Sequence, residues 1–184
     1  MLACFGSAAQ AEEARVLLAS SAAHDPVGAI NILRKDTPSG RPVPRVESIG
    51  TPLANGRAGP SRAHEVLWRF QRQGLPVRIF EEYDEWRKVQ EPFGDVVWVH
   101  RSQLSSSATV MARGPRETFH TLRRAPAVSA PAIAEIEGGA LADLKRCEGG
   151  WCRIEADGVI GWAPVEALWG ADPFADPGPP IPLG

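Results

Sequence analysis

The chain has 184 residues, 43% hydrophobic and 23% charged, with a formal net charge of −2, which suits one medium folded domain or two small ones. A charge so near zero gives no electrostatic reason to bind nucleic acid or an anionic membrane, and no apolar run is long enough to span a bilayer. The 18 glycines and 17 prolines approach a fifth of the chain, a density of punctuation that favours short strands and turns over long helices.

The chain opens on "MLACFGSAAQAEEA", where Ala9-Gln10-Ala11 is a small-x-small pattern followed by two glutamates. That resembles the end of a secretory signal, although no Lys or Arg precedes it. Leu2-Ala3-Cys4 is a weaker match to a lipoprotein acylation site, without the hydrophobic region such a site needs. "EEARVLLASSA" is a short helix-compatible run, and "DTPSGRPVPRVESIGTP" after it is too rich in Pro and Gly to continue a helix. Residues 1–50 are therefore expected to be a leader and extended linker.

From about residue 51 the chain repeats itself. Trp151 stands 65 positions after Trp86, and at that offset Gly74 meets Gly139, Val77 meets Ala142, Ile79 meets Leu144 and Val89 meets Ile154. After one deletion Trp98 meets Trp162 and Leu104 meets Leu168; upstream, "RAGP" (57–60) answers "RAP" (124–126). Repetition of this kind predicts two homologous units, placed at 51–105 and 119–170, with a linker over 106–118 and a proline-rich tail over 171–184.

Within each unit the hydrophobic period is two, as in "LPVRIFEEY". "WCRIEADGVIGWA" reads as two strands around Asp157-Gly158, a dipeptide that tolerates positive φ at both central turn positions. The first unit has the longer loop "QEPFGD" in that place. Short strands separated by turns predict an all-β barrel or sandwich. Units this small are hard to stabilise, and burying one Trp is worth at most about 4–6 kcal/mol. The indole rings of Trp86, Trp98, Trp151 and Trp162 are thus candidates for the core as well as for a binding surface.

These residues resemble bacterial SH3-like domains in the tandem form found in small exported proteins. The pattern stands as "RAGP" (57–60), "GLPV" (74–77), "EWRKV" (85–89) and "WVHRSQL" (98–104), and again as "RAP", "GGAL", "GWCRI" and "GWAPVEAL". It covers roughly 51–170. The resemblance implies two tandem small SH3-like β-barrels behind the N-terminal leader, an all-β fold, and a periplasmic or exported setting. Family members open with Val-Asn-Val-Arg, whereas this chain has Ala54-Asn55-Gly56-Arg57, a change that weakens the strand.

Cys147 and Cys152 flank a tight turn, close enough for a disulfide in an oxidising compartment. Two reduced thiols are the alternative, and zinc would need two further ligands. Tyr83, Trp86 and Trp98 are candidates for an aromatic groove of the kind SH3 domains use for extended proline-rich peptides; Trp151 and Trp162 are the counterparts, with Glu148 in place of Tyr83. Glu81, Glu82, Asp84 and Glu85 would either attract basic ligands or form a solvated loop. The tail's Pro179-Pro180-x-Pro182 favours polyproline II and could dock in cis or in trans on such a groove. His24, His64, His100 and His120 lie apart without paired signatures, so neither catalytic residues nor metal ligands nor cofactors are assigned. Two expectations follow: a non-enzymatic binding module that holds a peptide or, as the resemblance implies, a cell-wall component; or a structural spacer whose aromatics are only core.

Overall fold

The computed structural model describes residues 36–172. The signal-like start, Cys4, His24 and the proline-rich tail from 173 onward lie outside the described residues. Fourteen strands form two sheets. The first holds β1 (Arg45–Ile49), β2 (Ala54–Arg57), β3 (Val66–Phe70), β4 (Pro76–Tyr83), β5 (Trp86–Gln90), β6 (Val96–His100) and, after a 3-10 turn, β7 (Leu104–Ser105). The second holds β8 (Thr109–Ala112), β9 (Phe119–Arg123), β10 (Ala132–Glu137), β11 (Leu141–Glu148), β12 (Trp151–Ala156), β13 (Val159–Pro164) and, after another such turn, β14 (Leu168–Trp169). The strand order is β3-β2-β6-β5-β4-β1-β7 in one and β10-β9-β13-β12-β11-β8-β14 in the other. That is the same order twice, so the doubled phrase in the sequence is a doubled all-β barrel.

Two expected boundaries are corrected. Arg45–Ile49 is not linker but a strand, paired with β4 through Arg45↔Ile79 and with β7 through Ile49↔Leu104. Thr109–Ala112, expected in the linker, holds the same place in the second sheet, between β11 and β14. The strand Ala54–Arg57 also forms despite its glycine. A Cβ on Gly56 would lie 3.0 Å from Val97 Cγ2 and 3.3 Å from Trp68 Nε1, so the missing side chain lets two neighbours close over the backbone. The Asp157-Gly158 hairpin forms as expected, with positive φ at both positions.

Strand alternation sets what each barrel buries. In the first, Val77, Ile79, Val89, Val97 and Val99 point inward and form an aliphatic core with Ile49 and Phe70. The second core, built on Ile136, Ile154, Leu122 and Leu168, uses alanine at positions 112, 142 and 163. None of Trp86, Trp98, Trp151 and Trp162 belongs to either core cluster. Trp86, Trp98 and Trp162 are nonetheless buried, so these rings pack outside the two barrel interiors. Val97 and Val99 flank Trp98 in the strand and both face inward, so the pleat turns Trp98 the other way.

The tryptophan that is a member of a core cluster is Trp169. It pairs with Met111 across β14 and β8, both side chains are 0% exposed, and both belong to the aliphatic cluster of the first barrel. The Arg78 guanidinium lies 5.9 Å from the Trp169 ring centroid. Around this contact Thr109 Oγ1 donates to the Gly74 carbonyl at 2.7 Å, and Arg72 donates to the Gly139 carbonyl at 2.7 Å. In the first barrel the corresponding pair is Ser48 and Ser105. The second barrel thus presents a large apolar pair where the first presents two hydroxyls.

Trp169→Ala should cost about 3–5 kcal/mol and lower the thermal midpoint by roughly 10 °C. Calorimetry should record a single transition for both barrels, shifted as one. A transition that stays at the wild-type temperature would contradict this coupling.

Candidate binding site

The outer face of β4, β5 and β6 carries two cross-strand rows. One is Tyr83–Trp86–His100, the other Glu81–Lys88–Trp98, with Arg57 of β2 opposite Trp98. The alternation that sends the valines inward delivers all of these side chains to one face. Tyr83, at the β4–β5 hairpin, is 62% exposed, while Trp86 and Trp98 are 8% and 9% exposed. The His100 ring meets Trp86 edge-on, centroids 5.2 Å apart, and its Nδ1 lies 2.8 Å from Ser102 Oγ. The three expected aromatics therefore share one face, with Tyr83 open and both indoles largely covered by neighbours. His100 and Lys88 join them; counting two residues along each strand from the tryptophans would have found both.

In the second barrel Trp151 lies between Glu148 and Pro164, and Trp162 lies opposite Arg153 and Arg123. Trp151 is half-buried and Trp162 buried. The expected replacement of Tyr83 by Glu148 holds in the register, so this row has no exposed ring at its end.

The expected acidic cluster is divided among cations of the same chain. Glu81 accepts from Lys88 Nζ at 3.2 Å, and Glu85 pairs with Arg101. Glu82, its side chain fully covered, takes Arg45 at 2.6 Å and Arg87 at 3.2 Å. The N-terminal arm seals this network: Ser39 N and Oγ donate to the two Glu82 oxygens at 2.9 and 2.8 Å, and Arg45 Nε donates to Glu47 at 2.9 Å. Burial alone would raise the Glu82 pKa, but the Ser39 hydrogen bonds and Arg45 outweigh it and hold the carboxyl below its ordinary value.

Glu82 faces Arg87 across β4 and β5, and the same register position in the second barrel is Cys147 facing Cys152. These cysteines form a disulfide, their Cα atoms 4.0 Å apart, across a hairpin whose Gly149 and Gly150 both have positive φ. One copy closes this position with ions, the other with a covalent bond.

The "RAGP" segment has a structural use. Arg57 donates to the His64 carbonyl at 2.7 Å, and Arg123 donates to the Ala130 carbonyl at 2.7 Å. Each arginine closes the loop that follows it, seven residues on. The counterpart of Arg57 is therefore Arg123, not the Arg124 of the "RAP" pairing. Among the described residues no three His, Cys, Asp or Glu side chains converge to hold a metal ion, and His64, His100 and His120 bond separately to Ser61, Ser102 and the Arg113 carbonyl. No helix among the described residues is long and apolar enough to cross a membrane.

The family model described as bacterial SH3 domain matches residues 51–106 and again 116–170. No curated protein matches the chain. Among solved structures, NlpC2 from Trichomonas vaginalis is 14% identical with a TM-score of 0.31, covering 68% of this chain and 48% of that one. NlpC1 from the same organism is 13% identical with a TM-score of 0.32, covering 77% and 50%. The chain thus spans about half the length of these structures, and overlap at this level carries no functional argument.

Because the folded pKa of Glu82 lies below its ordinary value of 4.5, the stability it supplies is present above that pH and is lost as pH falls through the folded pKa. Glu82→Gln should remove this part of the acid dependence. At neutral pH it should cost roughly 3–5 kcal/mol, since Arg87 stays buried without its counter-charge and Arg45 keeps only Glu47; thermal melts between pH 3 and 7 check both. Reduction of Cys147–Cys152 should cost about 2 kcal/mol, as expected for a loop this short. A thiol assay on the full chain, which has 3 cysteines, should count one before reduction and three after.

Proposed function

This chain belongs to the bacterial SH3 domain family, whose members are binding modules, and on that premise we propose that it is a non-enzymatic binding module of the cell envelope. Its two barrels would recognise a peptide or a cell-wall component, peptidoglycan-associated in the periplasm or outside the cell. The observation that carries this reading is the row Tyr83–Trp86–His100, which ends in a tyrosine 62% exposed. A large ring left in solvent at a hairpin, backed by a second ring that its neighbours hold still, suits contact with an extended ligand at small entropic cost. The Cys147–Cys152 bridge supports an oxidising compartment. The proline-rich tail would be an alternative occupant of the row, in cis or in trans.

A second reading, a structural spacer within an envelope assembly, is favoured by the coverage of Trp86, Trp98 and Trp162 at 8%, 9% and 6% exposure. One substitution separates the two. Tyr83→Ala removes an exposed ring and should leave the thermal midpoint within about 2 °C of wild type. On the binding reading it should weaken retention on purified peptidoglycan fragments or envelope extract about tenfold, and Trp86→Ala should weaken it at least as much. Retention indifferent to both substitutions returns the spacer reading.

A further inference from the structure

Beside the tyrosine row lies a second arrangement, in which an ammonium group is held on three sides. Lys88 Nζ stands 5.5 Å from the Phe80 ring centroid, 5.9 Å from the Trp98 centroid and 3.2 Å from Glu81 Oε2. Glu81, Lys88 and Trp98 face one another across β4, β5 and β6, and Phe80 sits at the register shift between Ile79 and Glu81. Two aromatic faces and a carboxylate are the partners that select a cation. The Lys88 side chain is 35% exposed and hangs on a flexible four-carbon stem, so it can leave for solvent. The other nearby cation, Arg57, is engaged with the Arg62 and His64 carbonyls.

The second barrel supplies an independent observation. Trp162, the counterpart of Trp98, is also covered by a cation, Arg146 at 5.2 Å from the ring centroid. Arg146 pairs with Glu148 at 3.3 Å. It comes from β11, whereas Lys88 comes from β5. A cation thus lies over the corresponding indole in both barrels, from β5 in the first and from the β11 position that matches Glu81 in the second. Only the first barrel adds a second ring, because Lys145 stands at the Phe80 position.

We propose that Phe80, Trp98 and Glu81 form a receptor for a primary ammonium group on a ligand, and that Lys88 occupies it as an internal competitor. The ligand class is a peptide bearing a free lysine-type side chain. The inference rests on the proposed binding function and names the group recognised beside the tyrosine row. In the wild-type chain a ligand ammonium must first displace that of Lys88, so affinity for an isolated amine is low.

The test uses the full chain and N-acetyl-lysine methylamide as probe, its norleucine analogue as neutral control, followed through the Trp98 indole N–H resonance. Lys88→Met, which keeps the apolar stem and removes the charge, should bind the lysine probe about tenfold tighter than wild type. Lys88→Gln should reproduce the gain should the first variant fold poorly. Neither should respond to the norleucine compound, and adding Glu81→Gln or Phe80→Leu should cancel the gain. Equal affinity in wild type and both Lys88 variants, or equal binding of the neutral analogue, overturns the receptor. Tyr83-dependent retention on peptidoglycan without any lysine response would sink the receptor and keep the binding function. A lysine response without that retention would do the reverse.

Discussion

The contact on which the rest of the molecule depends is the seam that Trp169 and Met111 make with the first barrel. A barrel of this size buries too little surface to be robust by itself, and the second core is further thinned by alanines at 112, 142 and 163. Placing a fully buried tryptophan of the second barrel in the aliphatic cluster of the first gives the two barrels an apolar joint. The connection between β7 and β8 is only three residues, 106–108, so the seam closes almost without loop entropy. Ser48 Oγ donates to the Ser107 carbonyl at 2.7 Å and ties the connection down as well. Trp169 Nε1 has no hydrogen-bond partner, a cost that the apolar area around it offsets.

Around that seam the two copies have kept their backbone and changed their chemistry. Gly74 and Gly139 both turn with positive φ and donate to equivalent carbonyls, those of Ile49 and Ala112. Both β4 and β11 shift register at the same place. Side chains differ where the copies have different surroundings. At the far end of the first barrel an N-terminal arm lies across the sheet, and a buried ion network receives it through Ser39 and Glu82. The corresponding hairpin of the second barrel is held by a disulfide. The β5–β6 loop of the first barrel diverges too: the Glu91 carboxylate accepts from Phe93 N and Asp95 N and does for a five-residue loop what Asp157-Gly158 does with two.

Much of this was legible in the residues. The period of two, the Asp-Gly turn and the paired tryptophans gave the strands, one hairpin and the repeat, because each is local or depends only on spacing. The cysteines flanking Gly149-Gly150 were legible for the same reason. The strand Arg45–Ile49 was hidden by the prolines at 38, 42 and 44, whose breaking effect ends just where the alternation begins. The side on which each tryptophan lies was written in the valines around Trp98, but hydrophobicity alone argued for the interior. The role of Trp169 was not legible at all, since it depends on how one barrel meets the other. The Glu82 network was similarly out of reach, because its four charged members, Arg45, Glu47, Glu82 and Arg87, and Ser39 are scattered from 39 to 87.

The shortness of the 106–108 connection has a further consequence. Two modules on a slack tether meet a polymer independently, and the second encounter depends on an effective concentration that falls as the tether lengthens. Here the tether is nearly absent and the modules are welded, so their outer faces hold one spacing and one angle. A repetitive strand whose units match that spacing would be gripped twice for a single loss of freedom, whereas a mismatched one would be held once. On the proposed binding function, the pair would then act as a ruler, reading the periodicity of a ligand as well as its chemistry.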